Sequence, residues 1–337
     1  MKKNLFFIGL DISKADFAAS IYKTPGQPIV TKEAIPNDRK GFEMLLLWLN
    51  DHHINKKNCC ICMEATGVYS QAIAYYLLFA GFPVSVEPSL KVKRAFDPVD
   101  SKQIAEYAYR FQDELTFWQP RDEILEKIRQ LLSVREQFSK QKVALDNSIQ
   151  AYHKQRVQVA LIKKAQKETL NQLKKQIARI NKELEKLIKQ DPQIFQRASN
   201  LDSIPGCGML LAAHLLVITE NFTKIQNSKR LASFVGIVPY QLQSGTSVYK
   251  RAKIRHFGPG PSRKLLRLAA QSVATHNATF RRYYLRKLDQ GKPKPLVLNN
   301  IANKLLKIAC TIIRNNTRYI KDYRSINPMY LKSLKSA

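Results

Sequence analysis

From Glu123 to Lys189 the chain contains neither glycine nor proline. Leu, Ile and Val recur there at three- and four-residue spacing (Ile124, Ile128, Leu131, Leu132, Val134), and Lys and Glu fill much of the remainder, as in Lys174–Lys189. A run without helix breakers and with this period folds as one long helix or as an antiparallel helical hairpin, coiled-coil-like in its seam. The polar stretch Asp146–Arg156 is the place for a bend. This spacer reads equally as a solvated separator and as a dimerisation device. It divides the chain into an N-terminal domain at 1–118, the spacer at 119–192, a C-terminal domain at 193–325 and a tail at 326–337.

Charge separates the parts further. The 337 residues carry 56 Lys and Arg against 26 Asp and Glu, a net +30. Residues 1–120 hold 14 basic and 13 acidic side chains, residues 121–220 hold 18 and 11, and residues 221–337 hold 24 and 2. An excess this large, gathered in the last third, points to a polyanion and away from ordinary small-metabolite chemistry. No apolar run near 18 residues is evident, so no membrane span is expected. The apolar stretch Leu5–Leu10 stops at Asp11 with no cleavage site after it, so the chain reads as cytoplasmic. Cys59, Cys60, Cys62, Cys207 and Cys310 are odd in number, and three share one apolar run. They read as reduced, buried thiols, and Cys60-Ile61-Cys62 lacks the spacing of a zinc site.

The first third alternates in type. Strand-like runs at Leu5–Leu10, Asp16–Tyr22 and Pro28–Ala34 precede a helix at Lys40–Leu49. A strand at Asn58–Met63, a helix at Tyr69–Ala80, a strand at Phe82–Val86 and a helix at Ser101–Phe111 complete a β-β-β-α-β-α-β-α order, an α/β layered domain. Four acids fall at element ends. Asp11 ends the first strand, Glu64 ends the fourth, and Asp97 and Asp100 precede the last helix. In an α/β sheet such ends converge on one rim. Carboxylates gathered there repel one another unless a divalent cation neutralises them, and Mg²⁺ suits an all-oxygen site beside a phosphodiester. Each acid also has an ordinary reading. Asp97-Pro98-Val99-Asp100 makes a helix start with Asp97 as N-cap and Asp100 in the first turn. Asp11 suits a turn, and Glu64 suits a cap of the helix after it.

Beyond the spacer, Ile204-Pro-Gly-Cys-Gly-Met-Leu-Leu-Ala212 matches a helix-hairpin-helix grip, in which Gly206 and Gly208 let backbone N–H groups approach a phosphate. It also reads as a plain glycine-rich turn. Helices are expected at Met209–Ile218, Lys229–Val235, Ser262–His276 and Leu298–Tyr319, with turn and strand signals over Gly236–Tyr249. In Gln243-Ser244-Gly245-Thr246-Ser247, Ser244 is an ordinary turn residue unless a metal or base activates it as a nucleophile. Lys250, Arg251, Lys253 and Arg255 follow it. With Arg263 and the Phe280-Arg281-Arg282-Tyr283-Tyr284 cluster they suit phosphate neutralisation and base or sugar stacking.

From about Phe6 to Ile313 the order and spacing of these motifs resemble the DEDD transposases of the IS-one-ten (IS-eleven-eleven) insertion-sequence family. These are bridge-RNA-guided recombinases related to the Piv-type DNA invertases. The residues that carry the resemblance are Gly9-Leu-Asp-Ile-Ser13, Met63-Glu-Ala-Thr-Gly67, Asp97-Pro-Val-Asp-Ser-Lys102, Ser203-Ile-Pro-Gly-Cys-Gly208, Leu231-Ala-Ser-Phe-Val-Gly-Ile-Val-Pro239 and Gln243-Ser-Gly-Thr246. The resemblance implies a RuvC-like (RNase H fold) first domain, a coiled coil, and a mainly helical transposase domain with a helix-hairpin-helix-like element. It implies that Asp11, Glu64, Asp97 and Asp100 bind Mg²⁺. It implies that Ser244 forms a covalent phosphoserine link to DNA, with the metal site donated by another protomer; such a composite site, together with the helical spacer, points to a homodimer or homotetramer. The implied partners are donor and target DNA and a structured non-coding guide RNA, in the nucleoid of a bacterial or archaeal cell. The chain departs from the family pattern in two places. Ala95-Phe96 replaces a polar lead-in to the Asp pair, and Arg255-His-Phe-Gly-Pro-Gly-Pro261 replaces a Lys-x-Gly-Asn stretch. Two other readings use fewer of these residues. A RuvC-type metal-dependent nuclease or junction resolvase would use water and ignore Ser244, and a non-catalytic nucleic-acid-binding protein would use the basic third alone.

Overall fold

A computed structural model describes residues 5–27, 29–93, 100–120, 122–244, 248–254 and 258–321; for Leu90 and for the strands at 240–244 and 248–254 it describes the backbone alone. The chain divides into two compact units, Met1–Pro120 and Arg121–Ala337.

The first unit is a five-stranded sheet with helices on both faces. Its elements are β1 (Phe6–Ile12), β2 (Asp16–Tyr22), β3 (Val30–Pro36), α1 (Arg39–Asp51), β4 (Cys59–Glu64), α2 (Gln71–Phe79), β5 (Val84–Glu87), α3 (Ser89–Lys93) and α4 (Ser101–Arg110). The strand order is β3-β2-β1-β4-β5. β1, β2 and β3 pair antiparallel, and β1, β4 and β5 pair parallel. Side chains alternate across the pleat. Ile8, Leu10 and Ile12 of β1, with Ile61 and Met63 of β4, pack among Leu45 and Leu49 of α1 and Ile73 and Leu77 of α2. Phe7, Cys60 and Cys62 turn to the other face, against Ile104, Ala105 and Ala108 of α4. All five cysteines are free and buried, as the sequence implied. After α4 the chain returns to the sheet edge, where Phe117 bridges Ser85 and the Trp118 N–H donates to the Val84 carbonyl.

The second unit is mainly helical. The glycine- and proline-free run forms α5 (Glu123–Tyr152) and α6 (Ala160–Gln190), so the bend lies at 153–159, at the C-terminal edge of the stretch expected to hold it. The two helices are antiparallel neighbours. The Arg135 guanidinium donates to Asn181 Oδ1, Gln166 to Ser148 Oγ, and the Val159 N–H to the Tyr152 hydroxyl. Only their bases enter the core, through Leu125, Ile128, Leu132, Leu184, Leu187 and Ile188. Asp191 caps the next helix with Pro192 at its first position, an arrangement that ends α6 and starts α7 (Pro192–Asp202). Then follow α8 (Met209–Thr219), α9 (Ser228–Val235), β6 (Pro239–Ser244), β7 (Val248–Ile254), α10 (Gly260–His276), α11 (Ala278–Asp289) and α12 (Lys294–Asn315). β6 and β7 form an antiparallel hairpin.

α12 is long and apolar enough, by length and composition, to cross a membrane. Its apolar face is used inside the protein, however. Val297, Ile301, Leu305, Leu306 and Ala309 are buried in the core of the second unit.

Candidate active site

The rim at the C-terminal ends of β1 and β4 gathers acids because three local choices agree. Asp11 follows Leu10, which pairs with Met63, so Glu64 stands one residue beyond that pair on the neighbouring parallel strand. Gly9 then decides how closely α4 approaches. A Cβ at Gly9 would lie 2.1 Å from the Ser101 carbonyl oxygen and 2.3 Å from the Ala105 nitrogen, so only glycine admits the first turn of α4 onto β1. Buried Ser20, the partner of Gly9 on β2, holds that turn through a 2.8 Å hydrogen bond between its hydroxyl and that of Ser101. The N-cap residue of α4 is therefore delivered beside Asp11. That residue is Asp100, not Asp97. Its carboxylate accepts from the Gln103 N–H at 2.9 Å, while the Gln103 side chain accepts from the Asp100 N–H at 2.8 Å. This reciprocal capping box leaves the second carboxylate oxygen of Asp100 available.

The electrostatics follow from this convergence. The Asp11 carboxyl is held above its ordinary range, first by burial and then by the negative charges of Glu64 and Asp100. Among the described residues no Lys or Arg pairs with Asp11, Glu64 or Asp100. Three oxygen-only side chains that repel one another, with no cation of the protein among them, fit a hard divalent cation. They do not close into a ligand cage by themselves: among the described residues no group of three or more His, Cys, Asp or Glu is close enough to hold a metal ion. Asp97 lies outside the described residues.

The rim also holds an acid that the sequence reading passed over. Glu87, the last residue of β5, pairs in register with Glu64. It is 4% exposed. Ser85 Oγ donates to it at 2.8 Å, and Lys91 Nζ on α3 lies 3.2 Å away. Its sequence signal is the same as that of Glu64, an acid closing an apolar strand. Unlike Glu64, it has its own cation.

The second unit carries the remaining expected residues. Ser244 ends β6 opposite Val248 of β7, at the closing end of the hairpin, and the connection at 245–247 lies outside the described residues. Lys250, Arg251 and Lys253 lie on β7, and Arg255 lies outside the described residues. Gly206 and Gly208 separate into two roles. Gly206 has φ +77°, and a Cβ there would meet Val273 Cγ1 at 2.7 Å, so it is a packing glycine against α10. Gly208 is the N-cap of α8, with no side-chain cap and open space around its Cβ position. Arg281 and Arg282 are exposed on α11. Arg263 is half-buried and donates to the Val235 carbonyl. Tyr283 and Tyr284, expected among the stacking groups, pack instead against the core, and Lys304 Nζ sits 4.6 Å above the Tyr283 ring.

Two family models match this chain, one for DEDD-type IS110 transposases over residues 8–157 and one described as "Transposase IS116/IS110/IS902 family" over residues 198–285. The chain belongs to the IS110 transposase family. Membership makes it an enzyme that cuts and rejoins DNA. The first match contains Asp11, Glu64, Asp97 and Asp100; the second contains Gly206, Gly208 and Ser244. Among relatives, the pilin gene-inverting protein of Moraxella lacunata is 28% identical over 325 residues, which cover 94% of this chain and 98% of that protein. Its counterpart in Moraxella bovis matches to the same extent. An insertion element IS110 protein of Streptomyces coelicolor is 31% identical over 122 residues, 35% of this chain and 29% of that protein. A mixed α/β first unit with a five-stranded sheet is consistent with the RuvC-like domain that the family resemblance implied.

Proposed function

We propose that this transposase exchanges DNA strands through a covalent phosphoserine intermediate, formed by Ser244 at a site whose charge is balanced by Mg²⁺. The observation that carries this reading is the convergence of Asp11, Glu64 and Asp100 on one rim. Burial first, and then Glu64 and Asp100, hold the Asp11 carboxyl above its ordinary range, and among the described residues no Lys or Arg pairs with it. Asp11, Glu64, Asp100 and Asp97 would hold the ion. When bound, it supplies positive charge for the non-bridging oxygens of a phosphodiester.

The chain's own residues do the rest. The Ser244 hydroxyl forms a bond to phosphorus, one P–O bond to a deoxyribose oxygen breaks, and the serine proton ends on that departing oxygen. The number of phosphoesters is unchanged, so rejoining by a second DNA hydroxyl needs no nucleotide cofactor. Gly208 and the first amides of α8 act as a helix-hairpin-helix grip on the DNA backbone. Lys250, Arg251, Lys253, Arg255, Arg263, Arg281 and Arg282 contribute to phosphate neutralisation. Gly206 supports that grip by packing. A structured non-coding RNA pairs with donor and target DNA, which leaves the protein to hold backbones. The RuvC-like domain spans 1–118, the coiled-coil spacer 119–192, the transposase domain 193–325 and the tail 326–337. The active assembly is a homodimer or homotetramer in the cytoplasm, bound to the nucleoid, with carboxylates and serine drawn from different protomers.

The test is a trapping assay with purified protein, Mg²⁺, the element's non-coding RNA and labelled donor and target DNA. A denaturation-resistant protein–DNA adduct is expected, lost in both Ser244→Ala and Asp11→Asn. Cleaved ends with no adduct, unchanged by Ser244→Ala, would instead establish a RuvC-type nuclease that uses water.

A further inference from the structure

The second unit has an open cleft of about 670 Å³ that none of the proposed site residues lines. α5 supplies one side, with Ser133, Gln137, Lys140 and Gln141 on successive turns of the helix. α8 supplies His214 and the apolar floor of Val217 and Ile218, and α9 supplies Phe234. The Phe234 side is anomalous for a core helix. The residue is 46% exposed, while its neighbours Leu231, Ala232 and Val235 are buried. Its backbone is fixed nevertheless. Gly258, at φ +92°, is packed so closely that a Cβ there would lie 2.0 Å from the Phe234 carbonyl oxygen. An aromatic ring is thus displayed from a rigid support, beside two primary amides and a lysine.

The lining chemistry narrows what such a cleft takes. Among the described lining residues the one acid, Glu136, is paired with Lys264 at 3.6 Å, and Arg129 is held by Glu126 at 2.9 Å, so neither is left to select a strongly charged ligand. Burial brings His214 down to about 4, so at neutral pH its imidazole is an uncharged donor and acceptor. Amides and a neutral imidazole offer both donors and acceptors to a heterocycle edge, an exposed ring offers a stacking face, and a lysine at the margin offers one phosphate contact. A volume of several hundred Å³ is that of a small-molecule-sized guest, not of a duplex.

From this lining we infer that the cleft between α5 and the α8–α9 segment captures an unstacked base of a single-stranded nucleic acid, with Phe234 as its stacking platform, Gln137 and Gln141 reading its edge, and Lys140 on the adjoining phosphate. The inference rests on the nucleic-acid function proposed above and extends it to a base-binding site. Unpaired DNA at a strand-exchange junction and an unpaired loop of RNA present the same chemistry.

The experiment uses the full chain and three fluorescein-labelled twelve-mers: oligo-thymidylate, oligo-uridylate and an abasic deoxyribose-phosphate strand. Phe234→Leu, at an exposed position, should melt with the wild type. It should bind the base-bearing strand between about 5-fold and 100-fold more weakly, as loss of one base–aromatic stack predicts, and the abasic strand as the wild type does. Loss with oligo-thymidylate alone assigns the cleft to DNA, with oligo-uridylate alone to RNA, and with both to either strand. Binding unchanged on both base-bearing strands, or weakened equally on the abasic strand, overturns the inference. Photocrosslinking of a 5-iodouracil-containing strand to wild-type protein is independent of any variant, and it should label Phe234. Crosslinks confined to other segments would also overturn it. The strand-binding outcome does not depend on whether a phosphoserine adduct forms, so the two readings fail separately.

Discussion

Asp11 is a carboxylate in a place that disfavours its charge, through burial and through Glu64 and Asp100. Replacing it with asparagine removes a repulsion and, on the proposed mechanism, one carboxylate that would hold Mg²⁺. Asp11→Asn should therefore stabilise the metal-free protein. The rise in melting temperature that Mg²⁺ gives the wild type should be absent in the variant. Thermal melts with and without Mg²⁺ check both, and a Mg²⁺-dependent rise retained in the variant would remove Asp11 from the metal site. His214 makes a second prediction, on pH. The folded protein holds it at about 4 against an ordinary 6.5. As pH falls from 6.5 towards 4 the unfolded chain takes up a proton that the folded chain does not, so stability falls through that window. The loss is about 1–3 kcal/mol for a half-buried ring. Urea midpoints at pH 7 and pH 4.5 should differ less in His214→Gln than in the wild type.

At the scale of elements, α4 is a device for presenting Asp100, and Gly9 sets its height above the sheet. Gly9→Ala pushes a methyl into the backbone of Ser101 and Ala105. Overpacking of this kind costs about 1–3 kcal/mol, and lifting the helix also withdraws Asp100 from Asp11. We expect a lower denaturation midpoint together with loss of the DNA adduct; adduct formation at wild-type level would mean that the position of α4 does not matter to the chemistry. The elements of the first unit were largely legible in the sequence, because apolar runs of four to seven residues and turn residues mark strands plainly. Asp16–Tyr22 was bounded correctly, whereas the third strand begins at Val30 rather than Pro28. Asp11, Glu64 and Asp100 were legible because element ends converge in this architecture. Glu87 was not, since only the strand register shows that it stands beside Glu64 and only packing reveals its bond to Lys91. Gly206 and Gly208 look alike in sequence, and the α10 surface that distinguishes them lies more than sixty residues away. The same holds for Tyr283 and Tyr284, whose spacing among arginines resembles a stacking surface until the core claims them.

Across the whole molecule the charge divides by region, with net +1 in residues 1–120 and net +22 in residues 221–337. Binding to DNA should weaken steeply with salt, by slightly less than one power of salt concentration for each phosphate contact. The double variant Arg281→Ala, Arg282→Ala removes two exposed cations, so the logarithmic slope should shrink by about 2, at the same rate for any DNA sequence. Anisotropy titrations between 50 and 400 mM salt read that slope; an unchanged value would place both arginines off the DNA path.

The helical pair carries one more consequence. α5 has 30 residues and α6 has 31, and only their bases are embedded in the core. At 1.5 Å per residue each is about 45 Å long, the length of roughly thirteen stacked base pairs at 3.4 Å apiece. A stiff double rod anchored at one end works as a calliper. Anything engaged at its far end is held at a set distance from the core, and removing one heptad from each arm would shorten that distance by about 10 Å, or three base pairs. The protein thus contains its own unit of length, written in the absence of glycine and proline.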